Sequence, residues 1–302
     1  MGQAPQSSRA GPRHGVVGPR RIRYETRMKS PAVCSWSLRP ESPEALADAV
    51  RRCGLDAVQL ALVPCVEDPA WADGVARLRA LGIRIVSGML ATVGEDYSTL
   101  ASIAATGGVR PDATWPATWE RAQRVAERAG AEGIGLVTFH AGFLPHEPGD
   151  PERTRMVGRL RQVADAFARH GVDVAFETGQ ESAPTLLGAL EEIAHPNVGV
   201  NFDPANMILY GMGDPVAAIA MLAPHVRQVH VKDALPAGRA GEWGREVPVG
   251  QGAVPWEAFL AEVARLPARV DLVIEREAGP TREADVRAAA ERVTRAGAAL
   301  LP

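Results

Sequence analysis

Cysteine is scarce in this chain of 302 residues, and long apolar runs are missing. The three cysteines, Cys34, Cys53 and Cys65, are odd in number and lack C-x-x-C spacing, which argues against a disulfide framework or a thiolate zinc site. They favour a reducing compartment, so we expect a cytoplasmic protein. No stretch approaches the roughly 20 apolar residues of a membrane span, so we expect a soluble protein with no membrane partner.

An excess of basic residues is also lacking. The formal net charge is −3 at pH 7, so the composition does not provide the basic surface that nucleic-acid binding usually requires. We therefore expect no nucleic-acid partner, and a small molecule that is neutral or weakly charged. The exception is segment 1–29, where seven cationic residues face only Glu25 and give a local net charge of +6. We predict that residues 1–29 are a disordered tail outside the folded domain.

The remaining residues, 30–302, have the length and the pattern of a single (β/α)8 TIM barrel. Such a barrel takes about 250 residues, and 46% of the chain is hydrophobic. Short apolar runs alternate with longer segments of helical period, as in parallel βαβ units. The eight predicted strands are residues 32–38, 55–62, 83–90, 133–140, 172–177, 198–203, 226–232 and 271–275. An open, doubly wound sheet is the competing architecture, but eight regular units favour closure.

Helix starts carry a repeated signal, which is a capping residue followed by proline. It occurs at Ser42, Asp68, Asp150 and Asp214. Two connections that follow predicted strands, residues 91–115 and 234–255, are too long for simple turns. Loops of that length are usually lids or binding loops, so we expect both at the functional face of the barrel.

Four predicted strands end in a residue that can bind a metal ion. These residues are Glu177, Asp203, His230 and Glu275. Each has another explanation when it is taken alone. Glu177 and Asp203 are candidate helix caps, Glu275 can pair with Arg276, and a histidine between two valines can be a hydrogen-bonded core residue. At the rim of one barrel, however, the four would meet, and burying three carboxylates together without a cation is strongly unfavourable.

The ligand chemistry indicates which ion such a site takes. Three carboxylates and one imidazole form an oxygen-rich set that suits Mn²⁺, Mg²⁺ or Co²⁺ better than a structural zinc. We predict one divalent metal ion, Mn²⁺, with Mg²⁺, Co²⁺ or Zn²⁺ as alternatives. Two further coordination positions would remain for adjacent hydroxyl and carbonyl oxygens of a sugar.

The motifs around these residues resemble the xylose isomerase-like sugar isomerase/epimerase superfamily. The resemblance extends from Ala32 to about Leu300, and its most specific segments are 176–181, 201–206, 230–233, 247–252 and 274–277. It implies a (β/α)8 barrel and a Glu, Asp, His, Glu ligand set. That set is carried in this chain by Glu177, Asp203, His230 and Glu275.

Two positions depart from the pattern of the superfamily. Ketose 3-epimerases have a histidine three residues after the ligand aspartate, where this chain has Asn206, and many members have a glutamate where this chain has Gln59. Specificity for a known ketose therefore does not transfer. Endonuclease IV belongs to the same superfamily, but its multi-histidine zinc cluster is not matched, since only His140 and His230 fall at predicted strand ends.

The resemblance implies a metal-dependent sugar isomerase or epimerase that acts on a small keto or aldo sugar or a sugar phosphate through an enediolate. Glu177 and Glu275 would move the proton from opposite faces of the substrate, and Lys232 would stabilise a developing oxyanion. An ion pair between Lys232 and Asp233 is the other explanation for that lysine.

Four more residues are candidates for substrate contacts. His140, Asn206 and Gln180 can bind hydroxyl groups, and Trp36 can stack on a sugar ring, although barrel packing also explains that tryptophan. The same opening step permits a dehydratase or lyase of keto-sugars, keto-inositols or keto-glycosides. A non-catalytic sugar-binding barrel is the alternative from another class. Assembly into a homo-oligomer is left open.

Overall fold

The computed structural model describes Met1 and residues 31–239 and 241–299. The predicted disordered tail, except Met1, lies outside these described residues, so its state and the domain boundary at residue 30 stay predictions. Among the residues described, no helix combines the length and the apolar character that a membrane span needs.

Ten strands lie in the described part of the chain. They are β1 (Ala32–Cys34), β2 (Ala57–Ala61), β3 (Arg84–Met89), β4 (Leu136–Phe139), β5 (Asp173–Glu177), β6 (Val198–Phe202), β7 (Val226–Val231), β8 (Asp233–Leu235), β9 (Arg245–Val247) and β10 (Asp271–Ile274). Eight of them close a parallel barrel in the order β1-β10-β7-β6-β5-β4-β3-β2, which confirms the predicted (β/α)8 fold. Each barrel strand falls within one predicted segment. β8 and β9 form a separate antiparallel pair.

Helices connect successive barrel strands and cover them from outside. They are α1 (Pro43–Arg52), α2 (Val63–Glu67), α3 (Gly74–Ala80), α4 (Leu100–Thr106), α5 (Trp115–Ala131), α6 (Pro151–Ala168), α7 (Ala183–Ile193), α8 (Pro204–Tyr210), α9 (Pro215–Leu222), α10 (Trp256–Ala264) and α11 (Arg282–Ala299). The predicted caps are confirmed, because a backbone amide of the following turn donates to each capping side chain. These are Ser42, Asp68, Asp150 and Asp214.

The main core lies between the barrel and its helices. Along α6, apolar residues recur every three or four positions, at Met156, Leu160, Val163 and Phe167, and each is at most 1% exposed. Burying one such side chain contributes about 1.5–3 kcal/mol. This stripe therefore holds α6 firmly against the barrel.

The two long connections contain regular structure that the sequence did not predict. Residues 91–115 include α4, which begins at a capping box in which Thr99 and Ser102 each accept from the other's backbone amide. Residues 234–255 include most of the β8–β9 pair. Both connections reach the C-terminal mouth of the barrel, where Tyr97 and Trp243 line a cavity.

Candidate metal centre

The structure brings together the four side chains that the sequence proposes as ligands. They are Glu177 at the end of β5, Asp203 after β6, His230 in β7 and Glu275 after β10. Each offers one ligand atom, these atoms lie within 4.8 Å of one another, and all four residues are buried. They meet because parallel strands of a closed barrel deliver their carboxyl ends to one rim.

The imidazole of His230 lies at the middle of this group. Its Nδ1 atom is 3.4 Å from Oε1 of Glu177, 3.7 Å from Oδ2 of Asp203 and 3.6 Å from Oε2 of Glu275. Nδ1 of His230 and Oδ2 of Asp203 are both buried and have no hydrogen-bond partner among the described residues. Buried polar atoms are rarely left without a partner. A nitrogen and three carboxylates around one point fit a divalent cation.

Asp203 has two separate functions in this geometry. Its Oδ1 atom accepts from the backbone amides of Ala205 and Asn206 and caps α8, at 2.8 and 3.0 Å. The capping explanation for Asp203 is therefore correct for one oxygen, and the other oxygen remains available to an ion. α7, by contrast, is capped by Ser182 and not by Glu177.

Neighbouring donors fix the two glutamates. Nδ2 of Asn206 donates to Oε1 of Glu177 at 2.8 Å, and Nδ2 of Asn201 donates to its Oε2 at 3.2 Å. Nε1 of Trp36 donates to Oε1 of Glu275 at 2.6 Å, and Nζ of Lys232 donates to its Oε2 at 2.8 Å. Each carboxylate is thus held in one orientation.

The two alternative ion pairs suggested by the sequence do not form. Lys232 bonds Glu275 and Glu277 and not Asp233. Arg276 likewise bonds other carboxylates, those of Glu246 and Asp285. Asp233 instead accepts from four backbone amides and from an indole N–H. These donors are Ala234, Gly250, Gly252, Val254 and Trp256. Asp233 therefore anchors the loop that leads into α10.

The charges in this cluster shift one another's protonation. Burial alone would lower the pKa of Lys232, but the carboxylates of Glu275 and Glu277 raise it well above its usual range, so the ammonium stays charged. Burial likewise acts to raise the pKa of Glu275, but Lys232 and His230 hold it well below its usual range. Burial raises the pKa of Asp203. The buried imidazole is drawn toward protonation, because Glu177 and other neighbouring groups raise the pKa of His230 despite its burial. A proton and a cation therefore compete for Nδ1.

Three residues that support the centre are not predicted from the sequence: Gln59, Asn201 and Glu277. Gln59 and Asn201 are buried polar residues inside apolar strands, and this interruption was the available signal. Oε1 of Gln59 lies 2.8 Å from Nε2 of His230. Glu277 shares the ammonium of Lys232, and its place in segment 274–277 of the resemblance was the available signal.

A cavity of about 270 Å³ opens beside the cluster. Its lining residues are Tyr97, Ser98, His140, Asn206, Leu209, Tyr210, Lys232, Trp243, Gly244, Glu246 and Glu277. Of the predicted substrate-contact residues, His140 and Asn206 line it. Gln180 and Trp36 are not among the lining residues; Gln180 is buried, with Nε2 unpaired in the described part of the chain, and Trp36 contacts Glu275.

Comparison with known proteins identifies relatives of this chain. A family model described as xylose isomerase-like TIM barrel matches residues 47–296. The crystal structure of a xylose isomerase domain protein from Planctomyces limnophilus has 34% sequence identity and a TM-score of 0.77, over 82% of this chain and 91% of that one.

Two further proteins similar to this chain carry the names of enzymes. A 3-dehydroshikimate dehydratase of Bacillus anthracis is 27% identical over 163 residues, which are 49% of this chain and 54% of that protein. The chain thus matches about half the length of this curated relative. The structure of an L-ribulose 3-epimerase has 16% identity and a TM-score of 0.66, over 89% of this chain and 94% of that one, so the likeness is one of fold.

Proposed function

This chain belongs to the xylose isomerase-like TIM-barrel family, and from that premise we propose that it is a divalent-metal-dependent sugar isomerase or epimerase. The observation that carries the proposal is the pair of buried glutamates, Glu177 and Glu275, which lie 3.4 and 3.6 Å from Nδ1 of His230. The substrate would be a small carbohydrate. The cofactor would be one Mn²⁺ ion, with Mg²⁺, Co²⁺ or Zn²⁺ as alternatives.

The residues that would hold the ion are those of the buried cluster. They are Glu177, Asp203, His230 and Glu275. The two unpaired atoms, Nδ1 of His230 and Oδ2 of Asp203, support this assignment because an ion would satisfy both. When bound, a divalent cation supplies a Lewis acid that draws charge onto a carbonyl oxygen and makes the neighbouring C–H more acidic.

Proton transfer is the contribution of the two glutamates. Glu177 ends β5 and Glu275 follows β10, and β6 and β7 lie between these strands in the barrel. The two carboxylates therefore reach the mouth from different sides. If one removes the proton next to the carbonyl and the other returns it to the opposite face, the carbon is inverted and the product is an epimer. If one glutamate does both, the product is an isomer.

Lys232 holds one of these bases and lines the cavity at the same time. Its ammonium donates to Oε2 of Glu275 and to Oε2 of Glu277, at 2.8 and 2.9 Å. A fixed positive charge at this wall favours negative charge that develops on a substrate oxygen. Lys232 would thus orient Glu275 and stabilise the transition state.

A dehydratase or lyase is the second candidate function, and the similarity to a protein named 3-dehydroshikimate dehydratase favours it. Elimination begins with the same removal of a proton next to a carbonyl. Elimination follows only when the substrate carries a leaving group on the carbon next to the one that loses the proton. The same residues would serve both reactions, so the substrate decides between them.

Solvent deuterium incorporation tests the proposed function. The Mn²⁺-loaded protein is incubated in D₂O with a panel of ketoses, keto-inositols and 3-keto-glycosides, and products are followed by NMR. We expect metal-dependent deuterium at a carbon next to the carbonyl, or elimination if the second candidate is correct. Glu177→Gln and Glu275→Gln should each lower the rate by about 10²–10⁴-fold. Glu257→Gln, at an exposed position on α10, should leave it unchanged. Normal turnover in both active-site variants would refute the assigned roles.

A further inference from the structure

The cavity beside the cluster is small. Its volume of about 270 Å³ lies just below the roughly 300–1,000 Å³ typical of pockets for small molecules. Asn206 and Lys232 line it and also bond Glu177 and Glu275, so a molecule in the cavity lies against the proton-transferring groups. The space suits a ligand of about the size of a monosaccharide.

The charges that line the cavity are unfavourable for an anion. Lys232 is the cation among the lining residues, and Glu246 and Glu277 are the anions. The ammonium of Lys232 already lies 2.8 Å from Glu275, 2.9 Å from Glu277 and 4.0 Å from Glu246. Phosphate and carboxylate groups are usually bound by charged donors that are free to face them. An anionic substituent here would meet two carboxylates and a cation that is already shared.

Arg276 lies behind Glu246 and does not make the charges that line the cavity more favourable for an anion. Nη1 of Arg276 donates to Oε1 of Glu246 at 2.7 Å, and its Nε donates to Asp285 at 2.9 Å. Oε1 of Glu246 also accepts from the backbone amides of Glu277 and Ala278, at 3.0 and 3.2 Å. These bonds fix the carboxylate of Glu246 at the cavity wall. The guanidinium of Arg276 is already paired with Glu246 and Asp285, so it does not offer a free positive charge to a ligand.

The other walls suit a neutral polyol. The rings of Tyr210 and Trp243 pack at a centroid distance of 4.8 Å, and those of Tyr97 and His140 at 6.1 Å. Such faces can pack against the C–H groups of a sugar. Nε1 of Trp243 and Nδ1 of His140 are buried without a hydrogen-bond partner in the described residues. Hydroxyl groups of a ligand would satisfy them.

On the basis of the proposed function, we infer that the site takes an uncharged polyhydroxylated ketose or cyclic keto-polyol of monosaccharide size. It discriminates against the same molecules when they carry a phosphate. Glu246 and Glu277 are the residues that set this discrimination, because their carboxylates line the cavity and each lies within 4.0 Å of the ammonium of Lys232.

Matched pairs of ligands test the inference on the Mn²⁺-loaded protein. Each pair is a free ketose, such as fructose, and its terminal phosphate, and binding is measured by tryptophan fluorescence, since Trp243 lines the cavity. We expect at least one free ketose to bind tenfold or more tighter than its phosphate. Equal or tighter binding of the phosphates, or binding of neither member of any pair, overturns the inference. Deuterium incorporation is measured in parallel. A binding preference without exchange would contradict the proposed function and leave the inference standing.

Two variants identify the source of the preference. Glu277→Gln removes one anion and frees one bond of Lys232, so the ratio of ketose to phosphate affinity should fall about tenfold. The side chain of Glu277 is 51% exposed, so folding should tolerate the change. Glu257→Gln is the matched control on the surface of α10 and should leave the ratio unchanged.

Arg282 is the cationic residue that could bind an anionic group if the inference were wrong. Nη1 of Arg282 donates to the backbone oxygen of Trp36, its Nε is buried without a hydrogen-bond partner among the described residues, and the residue is not among those that line the cavity. Arg282→Gln should therefore leave the ratio unchanged. A selective loss of phosphate binding in this variant would identify Arg282 as an anion anchor and overturn the inference.

Discussion

Gln59 and His230 meet across the barrel interior, with Oε1 of Gln59 2.8 Å from Nε2 of His230. The amide of Gln59 is itself fixed, because its Nε2 donates to Thr138 at 2.8 Å and to the backbone oxygen of Gly88 at 3.3 Å. An imidazole with its proton on Nε2 donates to this carbonyl oxygen, and the lone pair of its Nδ1 then faces the three carboxylates. Nδ2 of Asn201 also lies 3.1 Å from Nε2. In metal sites the partner of the second imidazole nitrogen commonly sets the ligand tautomer.

Replacing Gln59 tests this positioning function. Gln59→Leu removes the acceptor, so the proton can move to Nδ1 and the affinity for Mn²⁺ should fall about 10–100-fold. Gln59→Glu keeps an acceptor for Nε2 and should retain most of the affinity. Calorimetric titration with Mn²⁺ measures both variants, and thermal unfolding checks their folding. Unchanged affinity in a folded Gln59→Leu protein would contradict the function assigned to Gln59.

Asp203→Asn separates the two functions of that residue. Asparagine still caps a helix, so the stability of α8 should be kept to within about 1 kcal/mol. The charge opposite His230 is lost, however, and bound Mn²⁺ measured by atomic emission should fall at least tenfold.

Asp214→Asn is the matched control for this experiment. Asp214 caps α9 through the same aspartate–proline arrangement, with the amide of Val216 donating to Oδ1 at 2.9 Å, and it lies outside the cluster. Its metal content should equal that of the unchanged protein. Equal metal content in the Asp203→Asn protein would remove Asp203 from the ligand set.

Lys232→Gln should lower kcat far more than metal content. The substitution removes the ammonium that orients Glu275 and that faces developing charge in the cavity, and loss of one such stabilising group typically costs about 10²–10³-fold in kcat. Lys232 is not one of the four clustered ligands, so bound Mn²⁺ should change by less than a few-fold. Steady-state kinetics on the substrate found in the deuterium screen measures kcat. A variant with full kcat would show that Lys232 has no part in catalysis.

The barrel strands were predictable because most are apolar on both alternating faces, the pattern of a strand covered on two sides. α4 was not, because only Ile103 of its seven residues is buried and no periodic stripe forms. The β8–β9 pair has three residues in each strand, which is too short for an alternating pattern to stand out.

Residues of the candidate site that stand at strand ends were predictable from the sequence, and residues that reach the site only through long-range contacts were not. Glu177, Asp203 and Glu275 could be proposed because each stands where a strand ends, a position visible in a single segment. Gln59 is 171 residues from His230 in the sequence, and their contact depends on how the closed barrel turns its strands inward. Glu277 is 45 residues from Lys232 in the sequence, and Nζ of Lys232 donates to its Oε2. Such contacts follow from barrel closure and not from local spacing.

Glu181 provides a pH-dependent test of the buried surroundings of the site. This residue is 3% exposed. Burial raises the pKa of Glu181 from 4.5 to about 8. Between these values the unfolded chain is ionised at this residue and the folded chain is protonated, so the unfolded state binds fewer protons. The free energy of unfolding therefore falls as pH rises through this window.

Glu181→Gln removes this contribution, since glutamine does not titrate. The stability of the variant relative to the unchanged protein should rise by up to about 1.4 kcal/mol per pH unit between pH 4.5 and about 8. Urea unfolding at pH 5, 6, 7 and 8 measures the difference, with Glu257→Gln as the exposed control that should follow the unchanged protein. Because an ionised carboxylate is costly only where water is excluded, parallel pH curves for all three proteins would mean that Glu181 is solvated in solution.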